Sequence, residues 1–127
     1  MNGYEVGKMR FTLLEHDHPE GRHWDLLLEP PEGELLWCWA LDGPPVTSRP
    51  IAARRLNDHR PKYLDYEGPI SDARGKVHRW DTGTYELLDR NDRQWVLRLA
   101  GDQTVGRAVL RRLDADHWEF LLTTTAG

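Results

Sequence analysis

The sequence predicts a mostly β fold, a compact antiparallel β-barrel with little helix, and three observations lead there. Short apolar or alternating runs recur along the chain, each bounded by Gly, Pro, Asp or Asn. No segment carries a helical pattern of three turns. A chain of 127 residues has room for one domain, and a closed sheet removes the exposed edges that an open one would leave. One domain over residues 1–127 is therefore expected, with residues 1–8 a flexible N-terminal segment.

The elements follow in order. Arg10–Glu15 alternates in part and reads as a first strand. The turn-rich stretch Asp17–Arg22 separates it from a second, His23–Glu29, which Pro30-Pro31 ends. Glu34–Leu41 is a long apolar run, the pattern of a central strand buried on both faces, and Gly43-Pro44-Pro45 breaks it. Ile51–Leu56 fits helix or strand, with strand preferred. Lys76–Asp81 and Thr84–Leu88 flank Asp81-Thr82-Gly83, a hairpin turn signal. Trp95–Ala100, Arg107–Leu113 and Trp118–Thr124 complete the set.

Composition narrows the function. The charged fraction of 30% and six tryptophans argue against disorder. No run approaches the ~18 apolar residues of a membrane span, and the first ten residues lack the apolar core of a signal peptide, so a cytoplasmic location is expected. Cys38, the single cysteine, sits in an apolar strand and reads as a buried thiol rather than a nucleophile. The net charge of −4 is not that of a globally basic nucleic-acid binder. Local arginine clusters at Arg49–Arg60 and Arg74–Arg79 are the candidate basic surface, against the plainer reading of solvated strand faces.

Two segments concentrate chemistry. His16–Glu29 holds three of the six histidines. On a strand, residues two apart share a face, so His23, Asp25, Leu27 and Glu29 lie on one side, with Trp24, Leu26 and Leu28 toward the core. Imidazole and carboxylate together suit manganese, zinc or iron, and His16 or His18 is placed to add a third ligand. A hydrogen-bonded His–Asp surface pair is the plainer alternative. Asp58–Gly68 holds His59 and Tyr63, with Arg60 and Lys62 between them. Such donors suit a phosphate pocket; a surface loop with a half-buried tyrosine is the alternative. His78 and His117 read as structural, and the tryptophans as packing.

The order of these motifs resembles the 3'-phosphoesterase module of bacterial DNA ligase D and its stand-alone relatives. That family carries E/K-H-x-A, H-Y-D-x-R-L-E, a tryptophan-containing strand, D-H-P-x-x-Y-x-x-F-E-G, and W-D-x-G-x-Y/W-E. Here stand Glu15-His16, the run His23-Trp24-Asp25-Leu26-Leu27-Leu28-Glu29, Trp37-Cys38-Trp39-Ala40, the run from Asp58 to Gly68, and Trp80-Asp81-Thr82-Gly83-Thr84-Tyr85-Glu86. Gly101 and Gly106 match the tail in kind, so the likeness runs from about Met9 to Leu122.

The resemblance implies a β-barrel with its site in a surface groove. It implies a divalent metal, typically Mn2+ with Zn2+ or another transition metal as alternatives, held by His16, His23 and Asp25, with His18 as an alternative to His16. It places phosphate contacts on His59 and Tyr63. The implied activity processes nucleic-acid 3' ends in DNA repair: a terminal ribonucleoside is removed to leave a 3'-phosphate, which is then hydrolysed. The implied partners are those ends and a separately encoded repair ligase or polymerase. One departure stands out: the family's arginine in H-Y-D-x-R is Leu27 here. Arg60, Arg74 or Arg54 could supply the missing cation, with Arg74 preferred and carried as a catalytic candidate beside His59 and Tyr63. Two other functions remain open. One is a non-catalytic module binding nucleic-acid ends or a repair partner, favoured by Leu27. The other is a metal phosphoesterase for a different phosphorylated substrate, favoured by the acidic net charge.

Overall fold

The computed structural model describes residues 9–33, 35–46, 49–71 and 73–124; the segment 1–8 lies outside them. Nine antiparallel strands form one sheet: β1 Met9–His18, β2 Gly21–Leu28, β3 Leu36–Leu41, β4 Ile51–His59, β5 Gly68–Pro69, β6 Lys76–Arg90, β7 Gln94–Gly101, β8 Val105–Arg112 and β9 Trp118–Thr123. Their order is β1-β2-β3-β4-β9-β8-β7-β6-β5, and β1 also pairs with β6, so eight strands close into a ring and β5 is a short appendage to β6. Among the described residues the only helical element is a 3-10 turn, Pro61–Leu64. None is a helix long and apolar enough to cross a membrane.

The period-2 pattern decides which side chains fill the ring. Phe11 and Leu13, Leu26 and Leu28, Trp39 and Leu41, Leu97 and Leu99, and Phe120 and Leu122 alternate along their strands and form one buried cluster. Ile51–Leu56 is strand, as preferred, and β4 continues to His59. The tryptophans do pack: Trp39, Trp95 and Trp118 are buried, and Trp24, Trp37 and Trp80 lean against the same cluster. Arg55, inward on β4, stacks 4.6 Å over the Trp39 ring.

Two expected turns differ. Asp17–Arg22 is almost all strand: β1 runs to His18, β2 starts at Gly21, and His18 pairs with Gly21. The Asp81-Thr82-Gly83 hairpin does not form. β6 passes straight through it and pairs with both β1 and β7. The turn signal has a different cause. Asp81 is buried, and its carboxylate accepts backbone N–H bonds from Thr82 and Asp102 on Oδ1 and from Gln103 and Thr104 on Oδ2, at 2.7–3.2 Å. It ties down the β7–β8 turn rather than making one of its own. Gly83 is required by close approach, because a Cβ there would lie 2.1 Å from the Ala100 carbonyl oxygen.

Burial pushes the Asp81 carboxyl up, but the hydrogen bonds from Thr104, Gln103 and Thr82 outweigh it and leave its pKa below the ordinary value. A depressed folded-state pKa stabilises the fold above the unfolded value, about 3.9, and that stability is lost as pH falls through the folded value. Asp81→Ala strands one buried and three half-buried donors, and a loss of about 3 kcal/mol is expected in urea unfolding at neutral pH. The deficit should shrink as wild type and variant are compared below pH about 4.

Candidate active site

The outward faces of β1–β4 build the site. On β1 these are Thr12, Leu14 and His16; on β2, His23, Asp25 and Leu27; on β3, Leu36, Cys38 and Ala40; on β4, Arg54 and Leu56. The tight β1–β2 hairpin sets His16 directly opposite His23. Asp25 follows two residues later on the same face.

His16, His23 and Asp25 converge, with one ligand atom from each lying within 4.8 Å of the others. His16 Nδ1 lies 3.2 Å from Asp25 Oδ2, and His23 Nε2 lies 3.0 Å from Asp25 Oδ1. His18 is not part of this group: its Nδ1 accepts the Glu20 backbone N–H at 3.1 Å, and its ring centre is 5.5 Å from that of His16 and 6.3 Å from that of His23. Such a cluster could hold a metal ion. Donors about 2.1 Å from an ion and at right angles to each other stand about 3 Å apart.

The protonation chemistry supports that fit. His16 Nε2 donates to the Arg74 backbone carbonyl at 2.8 Å. In a neutral ring its Nδ1 lone pair then faces a carboxylate oxygen, an arrangement that requires a proton or a cation. A backbone carbonyl on the far nitrogen is the usual way a ligating imidazole is oriented. Asp25 Oδ1 is buried without a hydrogen-bond partner despite the nearby His23 nitrogen. Burial pushes the Asp25 carboxyl up; the adjacent His16 and His23 imidazoles outweigh this and hold it below its usual pKa. Asp25 in turn raises the His16 pKa.

The segment after β4 folds back over this face. Thr12 Oγ1 donates to the Leu64 carbonyl at 2.9 Å, Arg10 pairs with Asp65, and the Arg79 backbone N–H donates to Glu67 at 2.7 Å. Leu64 with Leu14, Leu27, Leu36, Cys38 and Val77 forms a second apolar cluster, flanked by Leu56, Tyr63, Tyr66 and Ile70. Leu27 is therefore not an apolar residue facing the site. It is fully buried beneath this cover. Cys38 is buried too, and burial, then the Asp25 charge, push its thiol well up, as fits an inert thiol.

At the far edge the cover returns to β1. Gly75 has φ +85°, and a Cβ on it would sit 1.7 Å from the Asp17 carbonyl oxygen, so the chain can press against β1 only with glycine there. That contact delivers the Arg74 carbonyl to His16.

One groove results. His16 and Asp25 line it together with His59, Tyr63, Arg60, Lys62 and Arg74, in a cavity of about 410 Å³. It continues past His18, His23 and Arg54. Both chemical segments thus meet, although 43 residues separate His16 from His59. His59 Nδ1 donates to the Asn57 carbonyl at 2.7 Å, which leaves Nε2 with only the Cys38 sulfur at 3.9 Å. Arg74 lines the groove, but its guanidinium bonds back to Ser71 at 2.9 and 3.2 Å. His78 pairs with Glu15 and His117 with Asp114, both outside the groove. Of the arginine clusters, Arg54, Arg60 and Arg74 reach it. Sequence reasoning missed the two backbone carbonyls, of Arg74 and Asn57, that orient the histidines. Gly75 is the one trace of the first in the sequence.

The DNA ligase D 3'-phosphoesterase domain model matches residues 14–124. The chain belongs to that family. No curated protein matches it significantly. Leu27, expected from the sequence to face the site, is instead part of the core beneath the cover. Leu27→Ala should cost about 2–5 kcal/mol in urea unfolding, the range for a core residue. A surface residue in its place would cost under about 0.5 kcal/mol.

Proposed function

We propose that this protein is a divalent-metal-dependent phosphoesterase that processes nucleic-acid 3' ends in DNA repair, in the cytoplasm. It would remove a terminal ribonucleoside and then the 3'-phosphate left behind. The observation that carries this reading is the convergence of His16, His23 and Asp25 with His59 and Tyr63 in one groove.

His16, His23 and Asp25 would hold the metal, with Mn2+ the favoured ion. When bound, it supplies positive charge next to a phosphoryl oxygen and lowers the pKa of water. The chain's own groups do the rest. Asp25 orients both imidazoles, and the Arg74 carbonyl fixes His16 with its proton on Nε2. His59, with Nδ1–H committed to Asn57, has Nε2 as the atom that can carry a proton to a leaving oxygen or donate to the phosphate. Tyr63 offers a neutral donor from the same wall. The buried apolar cluster under Tyr63 and Leu64 makes that wall dry, which strengthens charge-assisted bonds at its surface. Hydrolysis of the 3'-phosphate consumes one water and yields a 3'-hydroxyl and inorganic phosphate.

Burial of Leu27 favours one second reading, a module that binds ends without cutting them. A primer-template ending in a ribonucleotide or a 3'-phosphate, incubated with Mn2+, separates the two. Wild type should trim both ends, and a chelator should stop it. Asp25→Ala should lose Mn2+ affinity by ~100-fold or more and lose trimming with it. His59→Ala should lower kcat by about 10²-fold or more while Mn2+ still binds. A wild type that binds metal and the end, yet leaves it intact, would make the end-binding reading correct.

A further inference from the structure

We propose that Arg54, on β4, is the cation that grips the phosphoryl group beside the metal cluster, a task its position allows and the buried Leu27 on β2 does not. This rests on reading the groove as a phosphate site.

The register carries the assignment. Asp25 pairs with Ala40, and Ala40 pairs with Arg54. These residues form one outward row across β2, β3 and β4, at about 4.8 Å per strand. Ala40 has only a methyl group, so no long side chain stands in the row between the Asp25 carboxylate and the Arg54 stem. Arg54 is exposed and lines the groove with His16, His23 and Asp25 together. The neighbouring row runs Leu27, Cys38, Leu56. It is apolar throughout and packs into the covered cluster. On β4, Arg54 and Leu56 stand two residues apart on the same face. The wet row therefore ends in a cation, and the dry row ends in leucine. A guanidinium at position 27 would enter the dry row, whereas one at position 54 meets the metal cluster from the open side.

The other cations near the groove are engaged or placed differently. Arg74 bonds to Ser71 through both Nε and a terminal nitrogen. Arg22 pairs with Glu15 and Asp17. Arg55 faces the ring interior, over Trp39, and pairs with Asp58. Lys62 Nζ sits 5.2 Å from the Tyr63 ring centre and 5.7 Å from that of Tyr66. Arg60 lines the part of the groove that holds His59 and Tyr63, away from His23. Arg54 makes no side-chain hydrogen bond or ion pair among the described residues, although Asp42 lines the same stretch. A planar fork with its donors unspent is what a tetrahedral dianion recruits.

Calorimetric titration with thymidine 3'-monophosphate tests this without relying on turnover. Wild type, Arg54→Ala, Arg54→Lys, Arg60→Ala and Arg74→Ala are compared with and without Mn2+, and urea midpoints check folding. Arg54→Ala should weaken nucleotide binding on the order of ten- to a hundredfold, with Mn2+ affinity within about twofold of wild type. Arg54→Lys should recover part of the loss, keeping the charge but not the fork. In the end-processing assay KM should rise for Arg54→Ala. Wild-type affinity in Arg54→Ala, or a larger loss in Arg60→Ala or Arg74→Ala, overturns the assignment, as does a wild type that binds no nucleotide. Nucleotide binding that depends on Arg54 in a protein that trims nothing upholds Arg54 and defeats the catalytic reading alone.

Discussion

Five outward residues of the ring, Leu14, Leu27, Leu36, Cys38 and Val77, are apolar and buried, and a ring whose outer face met water could not keep them there. Their cover is the segment from Pro61 to Ile70, which contributes Leu64, Tyr63, Tyr66 and Ile70. At about 25 cal/mol per Å² of apolar surface removed from water, covering them holds this segment, a single 3-10 turn and extended chain, to the sheet. The same contact positions chemistry. His59 leads into the cover, Tyr63 lies within it, and Arg74 leaves it at the edge of β1. Fold stability and site assembly therefore share one set of contacts.

Asp25 lies on the boundary that this cover creates. Toward Leu27 the face is dry, and toward His23 it opens to the groove. A carboxylate at such a boundary is partly desolvated and must be compensated. The compensation comes from two imidazoles that are themselves short of partners, since His16 has spent its Nε2–H on a backbone carbonyl. A divalent cation satisfies all three groups at once, whereas protons satisfy them only pairwise. The dryness beneath Asp25 and the metal-like spacing above it are two consequences of one placement.

Alternation along the strands made most of the ring legible, because the inward side chains are apolar and their neighbours mostly are not. It failed where a residue's purpose is remote. Asp81 and Gly83 carry a turn signature, yet Asp81 serves backbone donors of residues 102–104, and Gly83 yields to the Ala100 carbonyl; neither partner is local. The stretch Asp17–Arg22 carries turn-forming residues, but only two of its positions turn, and the extra strand pairs bring His16 opposite His23. Leu27 was legible as outward-facing and illegible as buried, because the cover that buries it begins more than thirty residues later. Proximity of His16 to His59 is likewise a product of tertiary folding. Only the order of motifs hinted at it.

A leucine at position 27 is consistent with that architecture once the rows are considered separately. The row through Leu27 continues to Cys38 and Leu56, so leucine at 27 extends a dry surface and strengthens the packing of the cover. The row through Asp25 crosses the small Ala40 and reaches Arg54 on the open side. On the proposed reading a cation is needed where the His16, His23 and Asp25 cluster faces solvent, and a hydrophobe is needed where the cover lies. Since β4 presents Arg54 and Leu56 to these two rows in turn, a single strand meets both demands, and neither forces a charge into the apolar cluster. On this geometry, an apolar residue at position 27 belongs to the covered row, and the positive charge of the groove comes from Arg54, Arg60, Lys62 and Arg74.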